Sequence, residues 1–249
     1  MQQEISFDLL QKIDPQALNF VVKNRNLYYF SKRILDISIA LFALLLLSPL
    51  MAIVSILIKL DSPGPIFFKQ NRVSVRRRVY DQITYWQKVT FQCYKFRTMV
   101  CNADPALHKS YVHALINNDC ESMKEIQGGN TQIRKLTNDP RVTRLGRMLR
   151  KLSVDEIPQF INVIKGEMSL VGPRPAIPYE VEMYKPWHYR RLETKPGITG
   201  LWQVTARSTA DFDEIVILDI QYIEQQSFWL DLKIIFKTPI AVLFCRGAV

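Results

Sequence analysis

The sequence predicts an α+β protein, mostly helical with a small β-hairpin or sheet. It also predicts a Ser-Pro-kinked re-entrant membrane helix and interfacial amphipathic helices. Three observations point that way. Residues 37–58 run for 22 positions without a charge around Ser48-Pro49. Two stretches rich in aromatic and β-branched residues, 66–68 and 90–96, read as short strands. Segments 103–126, 141–152 and 227–244 have helical composition.

In chain order, residues 1–31 are an N-terminal arm, amphipathic and without a chemical motif. The membrane helix fills 32–60. Its uncharged run exceeds the roughly 20 residues needed to cross hydrocarbon. It starts too late for a cleaved signal, and no small-residue cleavage site follows. Soluble cores rarely use so long an uncharged run on all faces. Pro49 removes the hydrogen bond to the Leu45 carbonyl, which kinks the helix, and the Ser48 hydroxyl can satisfy the freed group. Lys32 and Arg33 precede the run, and Lys59, Arg72, Arg76, Arg77 and Arg78 follow it. Cations mark the cytoplasmic side, so both ends belong on one face and the helix re-enters at Ser48 and Pro49. Each arm of about 11 residues is roughly 16 Å long, the depth of one leaflet. A spanning helix with a proline kink is the plainer alternative.

Residues 61–249 form a membrane-associated domain. Asp61-Ser62-Pro63-Gly64-Pro65 is a turn cluster. A basic, aromatic connection joins the two strands. The stretch 103–126 is helical and ends at Gly128-Gly129-Asn130. Asp139-Pro140 is a helix-start signal. In the helix it opens, Arg141, Arg144, Arg147 and Lys151 interleave with Val142, Leu145, Leu149 and Leu152, a basic amphipathic pattern. Near the C-terminus, Asp231, Lys233 and Lys237 interrupt the apolar stretch 227–244, and with Trp229 they suit an interfacial helix.

Lys and Arg total 33 against 23 Asp and Glu, a net charge of +10, beside 48% hydrophobic residues. That excludes a disordered polycation and points to an anionic partner: nucleic acid, a membrane or an anionic substrate. Cys93, Cys101, Cys120 and Cys245 form no C-x-x-C pair, which argues against a disulfide framework or a zinc ribbon and for a reducing compartment. His108, His113 and His188 lack metal-ligand spacing.

Candidate chemistry concentrates in 152–207. Ser153-x-x-Glu156 matches a capping box, although Pro158 weakens that reading. The competing reading makes Asp155 a carboxylate nucleophile beside Glu156. Neighbouring helical residues point about 100° apart, so the two cannot straddle a glycosidic bond. Gly172-Pro173-Arg174-Pro175 is either a solvated loop or a preorganised guanidinium clamp for phosphate. In the stretch 195–207, Trp202 and Arg207 are candidates to contact a base and a phosphate. No Walker loop or G-x-G-x-x-G is present. Asp211-Phe212-Asp213 has the D-x-D form of metal-binding glycosyltransferases, but it reads as a surface turn.

Taken in order, these pieces resemble the bacterial sugar transferase family, the monotopic phosphoglycosyl transferases. The matching elements are Lys32-Arg33-x-x-Asp36, Ser48-Pro49, Phe68-x-Gln70-x-Arg72 and Tyr94-Lys95-Phe96-Arg97-Thr98-Met99. They continue with Asp139-Pro140-Arg141-x-Thr143-Arg144-x-Gly146, Leu152-Ser153-x-Asp155-Glu156-x-Pro158-Gln159 and Asn162-Val163-x-x-Gly166. Met168-Ser169-x-Val171-Gly172-Pro173-Arg174-Pro175, Lys195-Pro196-Gly197-Ile198-Thr199-Gly200 and Asp219-x-x-Tyr222 complete the set.

The resemblance implies transfer of a sugar 1-phosphate from a UDP-sugar to undecaprenyl or another polyprenyl phosphate, at the cytoplasmic face of the inner (plasma) membrane. It implies Asp155 as nucleophile and Mg²⁺ ligand, Glu156 as its partner, and release of UMP. Lys95, Arg174, Pro175 and Arg207 would bind the phosphates. Phospholipids are expected neighbours, nucleic acid is not, and a homo-oligomer is compatible. The pathway implied is synthesis of exopolysaccharide, capsule, O-antigen or a glycoprotein glycan. Departures from the family pattern are a basic, glycine-free insertion at 73–92, a helical insertion at 100–138 and a short N-terminal arm, expected to exclude a multi-helix membrane region. A membrane-tethered binder of nucleic acid or anionic lipid also explains the charge, yet it gives Asp155 and Glu156 no role. A glycosyltransferase built on Asp211 and Asp213 would release UDP instead.

Overall fold

The computed structural model describes residues 14, 17–22, 25–81, 83–101, 104, 106–127, 139–205 and 210–244. Strand β1 (Ala17–Val21) precedes helix α1 (Asn26–Asp61), which spans 36 residues with Pro49 inside it. The Ser48 hydroxyl donates to the Leu45 carbonyl at 2.8 Å, the acceptor that Pro49 leaves without an N–H. Ser48 and Pro49 therefore sit within one continuous helix. Its N-terminal part buries Lys32, Asp36 and Ala40, and its C-terminal part buries Val54 and Ile58. Between them Leu41, Phe42, Leu45, Leu46, Leu50 and Ile53 stand exposed.

The cations flanking the apolar run do not all face outward. Lys32 donates its three N–H groups to Asp231 (3.0 Å), Tyr222 (3.2 Å) and the Val171 carbonyl (3.0 Å). Arg33 donates to the Val163 and Ile164 carbonyls at 2.6 and 2.7 Å. Arg72 is buried as well. The charge count used these cations only to orient the helix; packing engages them with distant carbonyls and, for Lys32, with Asp231.

The largest correction concerns 73–92. Instead of two short strands and a connection, β2 (Phe67–Tyr80) and β3 (Ile83–Phe96) form one long hairpin, in register from Phe67↔Phe96 to Tyr80↔Ile83. Asp81 makes the turn at φ 43°. Strand β1 adds to the far side of β3. Arg72, Val73, Ser74 and Val75 are buried consecutively because both faces of β2 are covered, which erases the alternation that marks a half-exposed strand. The Arg76-Arg77-Arg78 run is strand too, with Arg77 stacked 5.0 Å over the Tyr29 ring.

The helical stretch beyond the hairpin is two helices, α2 (Ala106–Ile116) and α3 (Cys120–Gln127), parted at Asn118 (φ 53°). The expected Gly128-Gly129-Asn130 break lies outside the described residues. Helix α4 (Arg144–Lys151) starts later than Asp139-Pro140 suggests. Thr143 caps it by accepting from the Gly146 N–H, while Asp139 pairs with Arg141 at 2.6 Å. A 3₁₀ turn (Val154–Glu156) leads to α5 (Gln159–Lys165).

Strand β4 (Ser169–Val171) then pairs in parallel with β5 (Gly197–Thr199). The crossover carries α6 (Pro178–Val181) and a 3₁₀ segment (Pro186–Leu192). Buried Arg191 in that segment contacts Glu180 (3.3 Å) and Asp219 (2.8 Å). Helices α7 (Leu201–Thr205), α8 (Phe212–Gln225) and α9 (Phe228–Phe244) complete the chain. Asp211-Phe212-Asp213 opens α8 rather than forming a turn. Asp211 and Glu214 make a reciprocal capping box, and Asp213 accepts from Lys185 (3.1 Å) and contacts buried His188 (3.0 Å). In α9, Asp231 points inward to Lys32, while Trp229, Phe236 and Ile240 stay exposed.

One core lies under the hairpin, where Val73, Val75 and Trp86 meet Val112 and Val216. A second joins Ala40 of α1 to Val163, Met168, Tyr222 and Ile234. A third joins Val54 and Ile58 to Phe96 and Leu149.

Candidate active site

The site begins where α4 stops. Leu152 is its C-cap, and Ser153 then adopts φ 55° without a side-chain cap bond, which overturns the capping-box reading. That left-handed residue turns the chain sharply, at about 1–2 kcal/mol for an L-residue. The following 3₁₀ turn holds Asp155 only 7% exposed. Pro158, with helical φ, starts α5 directly afterwards.

Asn162 of α5 ties this turn to the hairpin. Its amide accepts from the Tyr94 N–H (3.0 Å) and donates to the Gln92 carbonyl (2.7 Å) and Glu167 (2.7 Å). One position beyond Tyr94 along β3, Lys95 reaches Glu156 at 2.6 Å. Arg174 lies 3.8 Å from the same carboxylate oxygen. Arg72 donates to the Pro175 carbonyl (2.7 Å) and twice to Gln70 (2.6 and 3.1 Å). Gly172 and Gly197 sit back to back: a Cβ on Gly197 would lie 2.2 Å from the Gly172 nitrogen, so only glycine permits this approach. The result is a shallow, open depression lined by Arg72, Lys95, Glu156, Gln159, Arg174 and Pro175.

No hydrogen bond reaches the Asp155 carboxylate among the described residues. Burial pushes its pKa up. Lys95 opposes this most, Glu156 adds to it, and Arg150 and Arg174 help Lys95. Arg150 is itself oriented by the Thr98 hydroxyl at 2.9 Å. Burial makes this carboxylate more basic than an exposed one, and the field of three cations favours the approach of an electrophile carrying negative charge. Among the described residues no three His, Cys, Asp or Glu side chains converge as metal ligands. Asp155 and Glu156 offer a pair of carboxylates, which suits Mg²⁺ completed by phosphate oxygens and water.

The structure thus brings Asp155, Glu156, Lys95, Arg174 and Pro175 into one place. Pro175 takes part through its carbonyl, and Lys95 engages Glu156. Arg207 lies outside the described residues, and Ser48 and Pro49 are remote in α1. Sequence reasoning missed the roles of Arg72, Gln159 and Arg150. Arg150 had a signal, since it breaks the spacing of the cationic face of α4. His108 of α2 also reaches this region, with its Nδ1 2.6 Å from the Tyr179 hydroxyl. Burial, then Arg72 and Arg141, lower its pKa to about 4, so the ring is neutral.

The family model for bacterial sugar transferases matches residues 27–245. The exopolysaccharide production protein ExoY of Sinorhizobium fredii is 39% identical over 218 residues, 88% of either chain. The undecaprenyl-phosphate galactose phosphotransferase of Salmonella typhimurium is 39% identical over 88% of this chain and 42% of its own length. The undecaprenyl-phosphate glucose phosphotransferase of Komagataeibacter xylinus is 36% identical over 87% of this chain and 36% of its own. The chain spans nearly all of ExoY and less than half of the other two. The family match covers every element that builds the depression, and the chain belongs to the bacterial sugar transferase family.

Proposed function

We propose that the protein transfers a sugar 1-phosphate from a UDP-sugar to undecaprenyl or another polyprenyl phosphate, with Asp155 as nucleophile. The observation that carries this is the buried Asp155 carboxylate, without a hydrogen bond among the described residues and in the electrostatic field of Lys95, Arg150 and Arg174. The names of the relatives supply the substrate class, since the Salmonella, Komagataeibacter and Aeromonas hydrophila proteins are undecaprenyl-phosphate phosphotransferases of galactose, glucose and N-acetylgalactosamine.

In the first half-reaction an Asp155 oxygen attacks the phosphorus that bears the sugar. An O–P bond forms, and the bond from that phosphorus to the bridging oxygen breaks, its electron pair leaving with UMP. In the second, a phosphate oxygen of the acceptor attacks the same phosphorus, and the Asp155 carboxylate departs unchanged. Arg174 and Arg72 hold the diphosphate against Asp155, and Lys95 keeps Glu156 turned aside from the attacking oxygen. Mg²⁺ held by Asp155 would neutralise charge on the diphosphate.

A re-entrant α1, with both ends on the cytoplasmic face, completes the proposal. Buried Val54 lies fourteen positions beyond buried Ala40, and both pack on the same body. At about 1.5 Å per residue that is roughly 21 Å, short of the ~30 Å hydrocarbon thickness.

Membrane fractions given UDP-sugars, undecaprenyl phosphate and Mg²⁺ should release UMP. Asp155→Asn should abolish the release and Asp211→Asn should retain it. UDP as product, or an active Asp155→Asn, refutes the proposal. Cysteines introduced before residue 32 and after residue 60 should label from the same side.

A further inference from the structure

Helix α4 presents a graded surface. Leu145 and Leu149 pack on Val54 and Ile58 of α1. Next around the helix, Met148 and Leu152 are about half exposed (49% and 54%). Beside them stand Arg144, Arg147 and Lys151, all exposed and on one face at three- and four-residue spacing. None of the three makes a side-chain hydrogen bond or ion pair among the described residues. On the far side, Arg150 turns inward to Thr98 and acts on Asp155. The order runs from membrane helix to apolar strip to cations to nucleophile.

Three like charges on an eight-residue helix repel one another, and among the described residues no carboxylate pairs with them. The phosphate depression already has its own cations in Arg72, Lys95 and Arg174. The acceptor is the substrate that arrives from the membrane, and it joins a phosphate headgroup to an apolar tail. We infer that the Arg144–Arg147–Lys151 face of α4, with Met148 and Leu152 beside it, docks the polyprenyl phosphate acceptor and delivers its phosphate to Asp155. This rests on the transfer reaction proposed above.

The test uses the full chain in micelles of uncharged detergent, comparing the natural sequence with Arg144→Gln/Arg147→Gln/Lys151→Gln. Glutamine preserves helix propensity, and circular dichroism checks the fold. UMP release from the UDP-sugar without acceptor reads the first half-reaction. The acceptor KM reads docking, and binding to phosphatidylcholine vesicles with and without phosphatidylglycerol reads general lipid attraction. The burst of UMP should be unchanged. The acceptor KM should rise about 5-fold per cation removed, on the order of 100-fold for all three. An unchanged acceptor KM overturns the inference, and weaker vesicle binding alongside it would make the face a phospholipid anchor. A lost burst in the variant also overturns it, by placing the face in donor binding. If the natural sequence shows no burst, the transfer reading itself falls, and this inference with it.

Discussion

Lys32 offers the sharpest test of how the membrane helix is joined to the catalytic domain. Its ammonium and the Asp231 carboxylate are 8% and 1% exposed. All three ammonium protons are used, and Asp231 also accepts from Tyr28 (2.9 Å) and Tyr222 (2.7 Å). Lys32→Met keeps the aliphatic stem but leaves Asp231 as a buried charge without its counter-ion and removes a donor from the Val171 carbonyl. Breaking one partner of a desolvated pair costs about 3–5 kcal/mol. For a domain of this size that corresponds to a fall in Tm of roughly 10 °C. Replacing both partners, as Lys32→Met/Asp231→Leu, removes the stranded charge. It should recover most of the loss, giving a coupling energy of at least about 2 kcal/mol. Thermal denaturation in mild detergent, with chemical denaturation as a second probe, measures all three variants. A loss below about 1 kcal/mol for Lys32→Met, or strictly additive single effects, would refute the reasoning by showing that water reaches the pair.

Burial raises the pKa of Asp155, so the fold disfavours its charge. Such a group adds stability in acid and loses it as pH rises through its folded pKa. Asp155→Asn should therefore stop transfer yet raise Tm at neutral pH, with the gain vanishing in acid; a lower neutral-pH Tm contradicts this. The acid limb of UMP release should lie above the ordinary carboxylate range, and Lys95→Met should move it to higher pH, because Lys95 is the largest opposing influence. A limb that stays put removes Lys95 from the site's electrostatics. Gly197→Ala should cost about 1–3 kcal/mol and most of the activity, because its methyl collides with the Gly172 backbone; normal activity would mean the loop is free to move. Arg72→Lys cannot hold Gln70 and the Pro175 carbonyl together, so donor kcat/KM should fall about 10-fold or more with the fold intact, as kinetics alongside circular dichroism will show.

Much of the site was legible because its parts are short and local. Asp155-Glu156, Gly172-Pro173-Arg174-Pro175 and Tyr94-Lys95-Phe96 each stand out within a few residues. The hairpin was not, because β2 is covered on both faces and ends in an arginine run that looks like solvated loop. The capping box at Ser153 failed for a related reason, since the letters fit a helix start while the backbone turns left-handed there.

The sequence by itself determined that a long apolar helix carrying Ser48-Pro49 precedes a basic domain, and that an Asp-Glu pair and a Gly-Pro-Arg-Pro loop lie within it. Period and composition act over a few residues, so the order of letters expresses them directly. Only the tertiary structure decided which cations serve what. Lys32 meets Asp231 across 199 positions, and Lys95 meets Glu156 across 61. Arg144, Arg147 and Lys151 are left facing outward. Those partnerships follow from which groups packing removes from water. Desolvation, which raises the pKa of Asp155, depends on neighbours that the local sequence does not name.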